Sequence, residues 1–537
     1  MLPFSTDLPY RANRQPVLAK NCVATSQPLA AQAGLEILKQ GGNAADAAVA
    51  TAMTLTLVEP SGNGIGSDNF ALIWMGGGLH GLNSSGRSPA LMLPNRYEGM
   101  DQIPFRGYGG VTVPGAVQGW VDTIDRFGSM PLTKIAAPAI RYGREGHLLS
   151  QGVGAAYQSV LPRYGKEGVH AGFWETFTEN GEIPGPGDLK HLRDHADTLQ
   201  AIAETEGKAF YVGELAEKMD AHAREFGGAL RASDLAAHDS QWVRPLEMEY
   251  RGWTLHEIPP NGQGITALVA LGILKHFDLA SMEPDAPEQL HLQIEAMKLA
   301  FRDAERYIAD PAYMDADPAG LLEPGYLEDR ARLINREKAQ DFGHGTPPIG
   351  GTVLLTTADA DGNMVSFIQS NYTGFGSGVV VPGTGISLQN RGCCFVLEEG
   401  HPNRVGPTKR PYHTIIPGFV TKKNDRGEDE PVMSFGVMGG FMQPQGHVQV
   451  LLRVRNHEQN PQAALDAPRF QIRQGLNVDL EPGFPEATYD ALEAVGHRVR
   501  RYGSLSATFG RGQAIYKLAD GHYAASDSRG DGQAVGF

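Results

Sequence analysis

The chain has 537 residues, enough for one large mixed unit or a few modest domains, and its 61 acidic against 46 Lys and Arg residues give a formal charge of −15. That balance argues against a nucleic-acid or anionic-membrane surface, which needs clustered positive charge, and leaves a small-molecule substrate as the default partner. Its three cysteines, Cys22, Cys393 and Cys394, supply neither a disulfide framework nor a C-x-x-C metal site.

The opening "MLPFSTDLPYRANRQPVLAKNCVATS" is broken by prolines and charges, and no stretch is long enough to span a bilayer, so the chain reads as cytoplasmic. "SQPLAAQAGLEILKQGG" predicts a helix capped by Ser26, with Pro28 in its first turn and Gly41 as its stop. A second helix, "NAADAAVATAMTLTLVEP", opens on the cap-like pair Asn43 and Asp46. "SGNGIGSDNFALIW" reads as a glycine loop entering a strand; without G-K-[ST] or G-x-G-x-x-G spacing it does not match a phosphate loop. In "PEQLHLQIEAMKLAFRDAERY" a stripe of Leu290, Ile294, Met297, Phe301 and Ala304 predicts an amphipathic helix, with His291 a surface or structural residue rather than a ligand.

"LINREKAQDFGHGTPPIGG" has no apolar period and predicts an exposed, mobile loop. Beyond it "TVLLTTAD" and "MVSFIQSNY" flank the turn "ADGN" as a hairpin, and short strands continue through "GVVVPGTGISL". "KKNDRGEDE" reads as a solvated hairpin loop. No metal-ligand cluster is visible, no cofactor is expected, and no G-x-S-x-G marks a serine hydrolase.

The first strand of the hairpin starts at Thr352, directly after Gly350 and Gly351. Glycines that end a loop explain this, and so does a cut between Gly351 and Thr352. An N-terminal threonine carries its own base: Oγ attacks a carbonyl while the α-amine, of ordinary pKa about 7.7 to 8.0, accepts the proton. The same hydroxyl can first attack the Gly351 carbonyl and release itself, and glycines give the backbone the freedom for that.

The surroundings resemble the γ-glutamyltransferases, members of the N-terminal nucleophile hydrolases. The resemblance runs through "GGNAADAAVAT", "GVTVPGAVQGW", "HLQIEAMKLAF", "TTADADGNMVSFIQSNYTGFGSG", "GPTKRP", "VMGG", "APRF" and "AASDSR", in the family's order. It implies an α+β fold, a four-layer αββα sandwich of two stacked antiparallel sheets. It also implies self-cleavage into residues 1–351 and 352–537, which stay together as one folded αβ heterodimer and are compatible with a further dimer. Thr352 would be the nucleophile, and Ser370 would take the place of a second threonine that bonds to it. Gly439 and Gly440 would hold the oxyanion, and Arg87 would pair with a substrate carboxylate.

Four positions depart from the family. Arg391 stands where a glutamine is usual, Cys394 where an aspartate meets the substrate ammonium, Tyr372 at an asparagine position, and His413 and Thr414 replace a serine pair. An α-ammonium beside Arg391 would be repelled and a second negative group welcomed. A carboxylate-bearing amide such as oxamate, or a glutaryl amide, fits better than glutathione. An ordinary γ-glutamyltransferase and an uncleaved binding homologue are the alternatives. Arg391 held by Glu398 or Glu399, and His413 as a core residue, are the plainer readings of these positions.

Overall fold

In the strand Gly351–Ala358, alternate residues serve different layers, as the two-residue period of a strand requires. Leu354 and Ala358 join Phe70, Leu72, Phe419, Met438 and Ile515 in a cluster between two sheets. Val353 and Leu355 face the other way, into a core shared with the helix Ala44–Val58. The computed structural model that gives this arrangement describes residue 10, residues 14–342 and residues 351–537. The glycine-rich end of the predicted loop, 343–350, lies outside the described residues.

Among the described residues, two seven-stranded sheets are antiparallel throughout. The first places Gly351–Ala358 between Cys22–Thr25 and Met364–Tyr372, with Asp68–Met75 next. The second centres on Asp429–Met438, between Gly418–Lys423 and Arg511–Leu518. Helices Pro28–Lys39 and Ala44–Val58 cover the first sheet, with Leu132–Glu145 packed on Ala44–Val58, and Gly264–Leu274 and Met442–His457 cover the second, with Pro287–Tyr307 packed on Gly264–Leu274. This is the expected αββα sandwich. Strands from either side of the Gly351–Thr352 bond are neighbours in one sheet, so both segments belong to one body.

Local chemistry sets the starts of the first two helices. Asn43 accepts from Ala45 N and Asp46 N while Asp46 bonds back to Asn43 N, a complete capping box. The first helix is a correction: Gln27 rather than Ser26 caps it, accepting from Leu29 N and Ala30 N, because the Ser26 hydroxyl is drawn to the buried carboxylate of Glu59. His291 is not at the surface; it is 2% exposed and bonds to His497 and the Asn335 carbonyl. Among the described residues, no helix is long and apolar enough to cross a membrane.

The "APRF" and "AASDSR" segments meet in the core as a fully buried ion network. Arg469 Nη2 donates to Asp527 Oδ2 at 2.6 Å, and Arg529 pairs with both Asp527 and Glu481. Burial would raise the Asp527 pKa, but the two guanidiniums outweigh it and hold the carboxyl down to about 2. A depressed carboxylate stabilises the fold above its unfolded pKa of about 3.9 and loses that contribution as pH falls towards 2, here roughly 2 to 3 kcal/mol. Urea unfolding at pH 5 and pH 2.5 is expected to show this loss, and Asp527→Asn to reduce the difference between the two pH values. An unchanged difference would contradict the assignment.

Candidate active site

Thr352 is fully buried, and its Oγ1 lies 3.1 Å from Ser370 Oγ on the neighbouring strand. The contact depends on an irregularity in register: Gly351 pairs with Tyr372 but Val353 with Gln369, so Ser370 and Asn371 together oppose Thr352. Such a bulge re-aims side chains, and Tyr372 follows it at φ 78°, an uncommon conformation outside glycine. The glycine loop "SGNGIG" packs against this point. A Cβ on Gly62 would sit 3.2 Å from the Thr352 carbonyl oxygen, and one on Gly66 only 2.3 Å from Ser387 O, so close backbone approach accounts for these glycines.

Contacts across the sandwich bring Gly439 and Gly440 to the same end as Thr352. Thr356 bonds to Ser434, and Leu354 packs on Gly436 two residues further along each strand, a progression that reaches Thr352 and Met438 next. Gly439 and Gly440 follow, at φ 141° and 61°, before the helix Met442–His457. Among the described residues, no acceptor takes either of their N–H groups. Gln263 fixes the turn: its Nε2 donates to Gly440 O at 2.9 Å and Thr414 O at 2.6 Å, while Tyr412 OH donates to its Oε1 at 3.0 Å. Arg469 supports the far side, donating to the carbonyl of Gly510, whose Cα backs Gly439.

Arg391 is the charged centre of the site. Fully buried, it donates from Nη2 to Ser370 Oγ at 3.1 Å and from Nη1 to Thr414 Oγ1 at 2.7 Å, with its Cζ 4.7 Å from the Tyr372 ring centroid and Cys394 Sγ 3.8 Å from Nη1. Among the described residues no carboxylate lies within 4.0 Å of it, and its buried Nε has no hydrogen-bond partner. Neither expected acidic partner holds it: Glu399 faces Arg404 at 3.6 Å, and Glu398 is exposed. A buried cation surrounded by hydroxyls and an aromatic face carries a desolvation cost that an anion in contact with it would offset.

Behind Arg391 sits a buried carboxylate that sequence reasoning missed. Asp68 Oδ1 accepts from Gly86 N, Gly115 N and Gln389 Nε2, and Oδ2 from His413 Nε2 at 3.1 Å. Burial would raise its pKa, but the His413 hydrogen bond, the backbone donor and the Arg391 charge hold it below the ordinary value. Burial and then Arg391 push His413 down to about 4 against the pull of Asp68, so His413 is neutral at pH 7 and spends its Nε2 proton on Asp68. It is placed to orient rather than to act as a base. Burial also raises the Cys394 thiol above its ordinary value despite Arg391, so it stays a thiol.

Arg87 follows Gly86 on the loop tied to Asp68, one third exposed, with Nη1 3.3 Å from Asp310 Oδ2. Its charge is already shared with a protein carboxylate, unlike that of Arg391. Asp68, Gln263 and Gln389 carried no motif signal beyond their glycine-rich neighbours. The expectation that no ligand cluster exists needs correction, because His291, Glu295 and His497 place ligand atoms within 4.8 Å of one another. His497 lies too far along the sequence for spacing to reveal it. Lys298 Nζ already sits 2.7 Å from Glu295 Oε1 and the two histidines bond to each other, while the buried His497 Nδ1 has no hydrogen-bond partner.

A gamma-glutamyltranspeptidase family model matches residues 30–537. The chain is 34% identical to a glutathione hydrolase-like YwrD proenzyme from Bacillus subtilis, covering 98% of this chain and 100% of the relative. It is also 34% identical to an oxamate amidohydrolase proenzyme from Klebsiella pneumoniae, covering 95% and 97%. The structure matches that of a cephalosporin acylase from Bacillus halodurans with a TM-score of 0.93 at 47% identity, covering 99% of both chains.

Proposed function

Because the chain belongs to the gamma-glutamyltranspeptidase family of self-processing N-terminal nucleophile hydrolases, we propose that it hydrolyses an amide whose acyl part carries a carboxylate, through an ester on Thr352. Processing comes first. Thr352 Oγ attacks the Gly351 carbonyl, the peptide bond becomes an ester, and water cleaves that ester to leave a Gly351 carboxylate and a free Thr352 amine. In turnover the amine takes the proton from Oγ as Oγ attacks the substrate carbonyl. The Gly439 and Gly440 N–H groups stabilise the oxyanion, the proton passes to the leaving amine, and water then releases the acid.

The observation that carries the substrate reading is Arg391, a buried guanidinium one hydroxyl away from Thr352 and unpaired with any described carboxylate. Relatives named as an oxamate amidohydrolase and a cephalosporin acylase support it, since neither name requires a free glutamyl amine. The test is a panel at equal concentrations of oxamate, a glutaryl anilide and a γ-glutamyl anilide. One of the first two is expected to be turned over faster than the γ-glutamyl anilide. The reverse order for both would make the protein an ordinary γ-glutamyl hydrolase.

A further inference from the structure

Beside the oxyanion turn lies a cavity of about 400 Å³ to whose walls Phe105, Tyr372, Phe395, Tyr412 and Phe441 contribute aromatic rings. Phe441, directly after Gly440, stacks on Tyr412 with ring centroids 5.9 Å apart, and Phe105 stacks on Tyr372 at 6.3 Å. Phe395 adds a fifth ring, and Val396 and Leu397 add aliphatic surface. The Phe105 loop is fixed from inside, since Asn390 Nδ2 donates to Phe105 O at 2.9 Å and Gly107 N to Ser377 O. The size suits a ring with a short linker, and stacked walls favour a flat one.

Charge decides which half of an amide belongs there. Arg391 is not part of the wall; Tyr372 and Cys394 stand between it and the cavity. No Lys or Arg lines the cavity among the described residues, whereas Asp101 and Glu398 do, both exposed. A carboxylate is therefore disfavoured there, and a neutral or cationic group accepted. With the acyl carboxylate at Arg391 and the carbonyl carbon at the Gly439–Gly440 turn, the remaining part of the substrate is the amine. We propose that this cavity binds an aromatic leaving amine, so that the preferred substrates are carboxyacyl amides of aromatic amines rather than simple primary amides. The inference rests on the carboxyacyl reading above only for which acyl group accompanies the ring.

The experiment compares Phe105→Ala with the unaltered, processed enzyme on two substrates of one acyl group, glutaryl para-nitroanilide and glutaramate. The kcat/KM ratio of anilide to primary amide is expected to fall roughly tenfold in the variant, and inhibition of glutaramate hydrolysis by free para-nitroaniline to weaken by a similar factor. The same ratio taken with γ-glutamyl para-nitroanilide and glutamine separates the two ideas. A tenfold fall there without any glutaryl turnover keeps the aromatic cavity and sinks the carboxyacyl reading. A ratio unchanged in both pairs overturns the cavity assignment and leaves the carboxyacyl reading standing.

Discussion

Thr352→Ala is expected to leave the protein as a single chain of 57.8 kDa under conditions where the unaltered protein separates into two bands, and to abolish amide hydrolysis. Alanine has no hydroxyl to attack Gly351 or a substrate, and losing a covalent nucleophile costs on the order of 10⁴-fold or more. Thr352→Ser keeps the hydroxyl and the latent amine, so slow processing and reduced turnover are expected instead. Identical behaviour of Thr352→Ala and the unaltered protein on a gel would remove the nucleophile assignment. The folded state itself should tolerate the change, because the Thr352 hydroxyl bonds to Ser370, which keeps its donors Arg391 and Tyr372 N.

Arg391→Gln combined with Cys394→Asp is expected to move the enzyme towards γ-glutamyl amides. The pair removes a buried cation and places a carboxylate where the family meets the substrate ammonium. A charge-assisted hydrogen bond to a carboxylate contributes about 1.5 to 3 kcal/mol, so kcat/KM for a glutaryl amide should fall roughly 10- to 100-fold, while that for the γ-glutamyl amide falls less or rises. The ratio is the readout, because Arg391 also donates to Ser370 and its loss slows every substrate. The pH profile gives a second readout. Arg391 donates to the same Ser370 hydroxyl that Thr352 contacts, so in the processed enzyme its charge is expected to disfavour the ammonium form of the Thr352 amine and to lower its pKa below the ordinary 7.7 to 8.0. The base must be unprotonated, so activity is lost below that pKa, and the acid limb should move to higher pH when Arg391 is removed. A limb that stays in place, with an unchanged substrate ratio, would leave Arg391 a structural residue.

The hairpin around Thr352 was readable from sequence because its signals are local: an apolar run on each side, "ADGN" between, and glycines before. The Asn43 cap was readable for the same reason. Ser26 misled because its hydroxyl is claimed by Glu59, a partner that no local rule anticipates. The centre of the site depends on partners far apart in the chain. Asp68 and His413 are separated by 345 positions, and Gln263 reaches Gly440 across 177. Arg391 was visible as a departure from a family pattern. That its guanidinium meets hydroxyls and an aromatic ring, rather than Glu398 or Glu399, follows from packing alone.

The most direct test is the intact mass of the processed protein, before and after brief incubation with a glutaryl amide and rapid acid quenching. Two fragments are expected, the smaller spanning residues 352–537, and after quenching a glutaryl adduct on that fragment which maps to Thr352. An adduct elsewhere, or a small fragment that begins at any other residue, would contradict the nucleophile assignment.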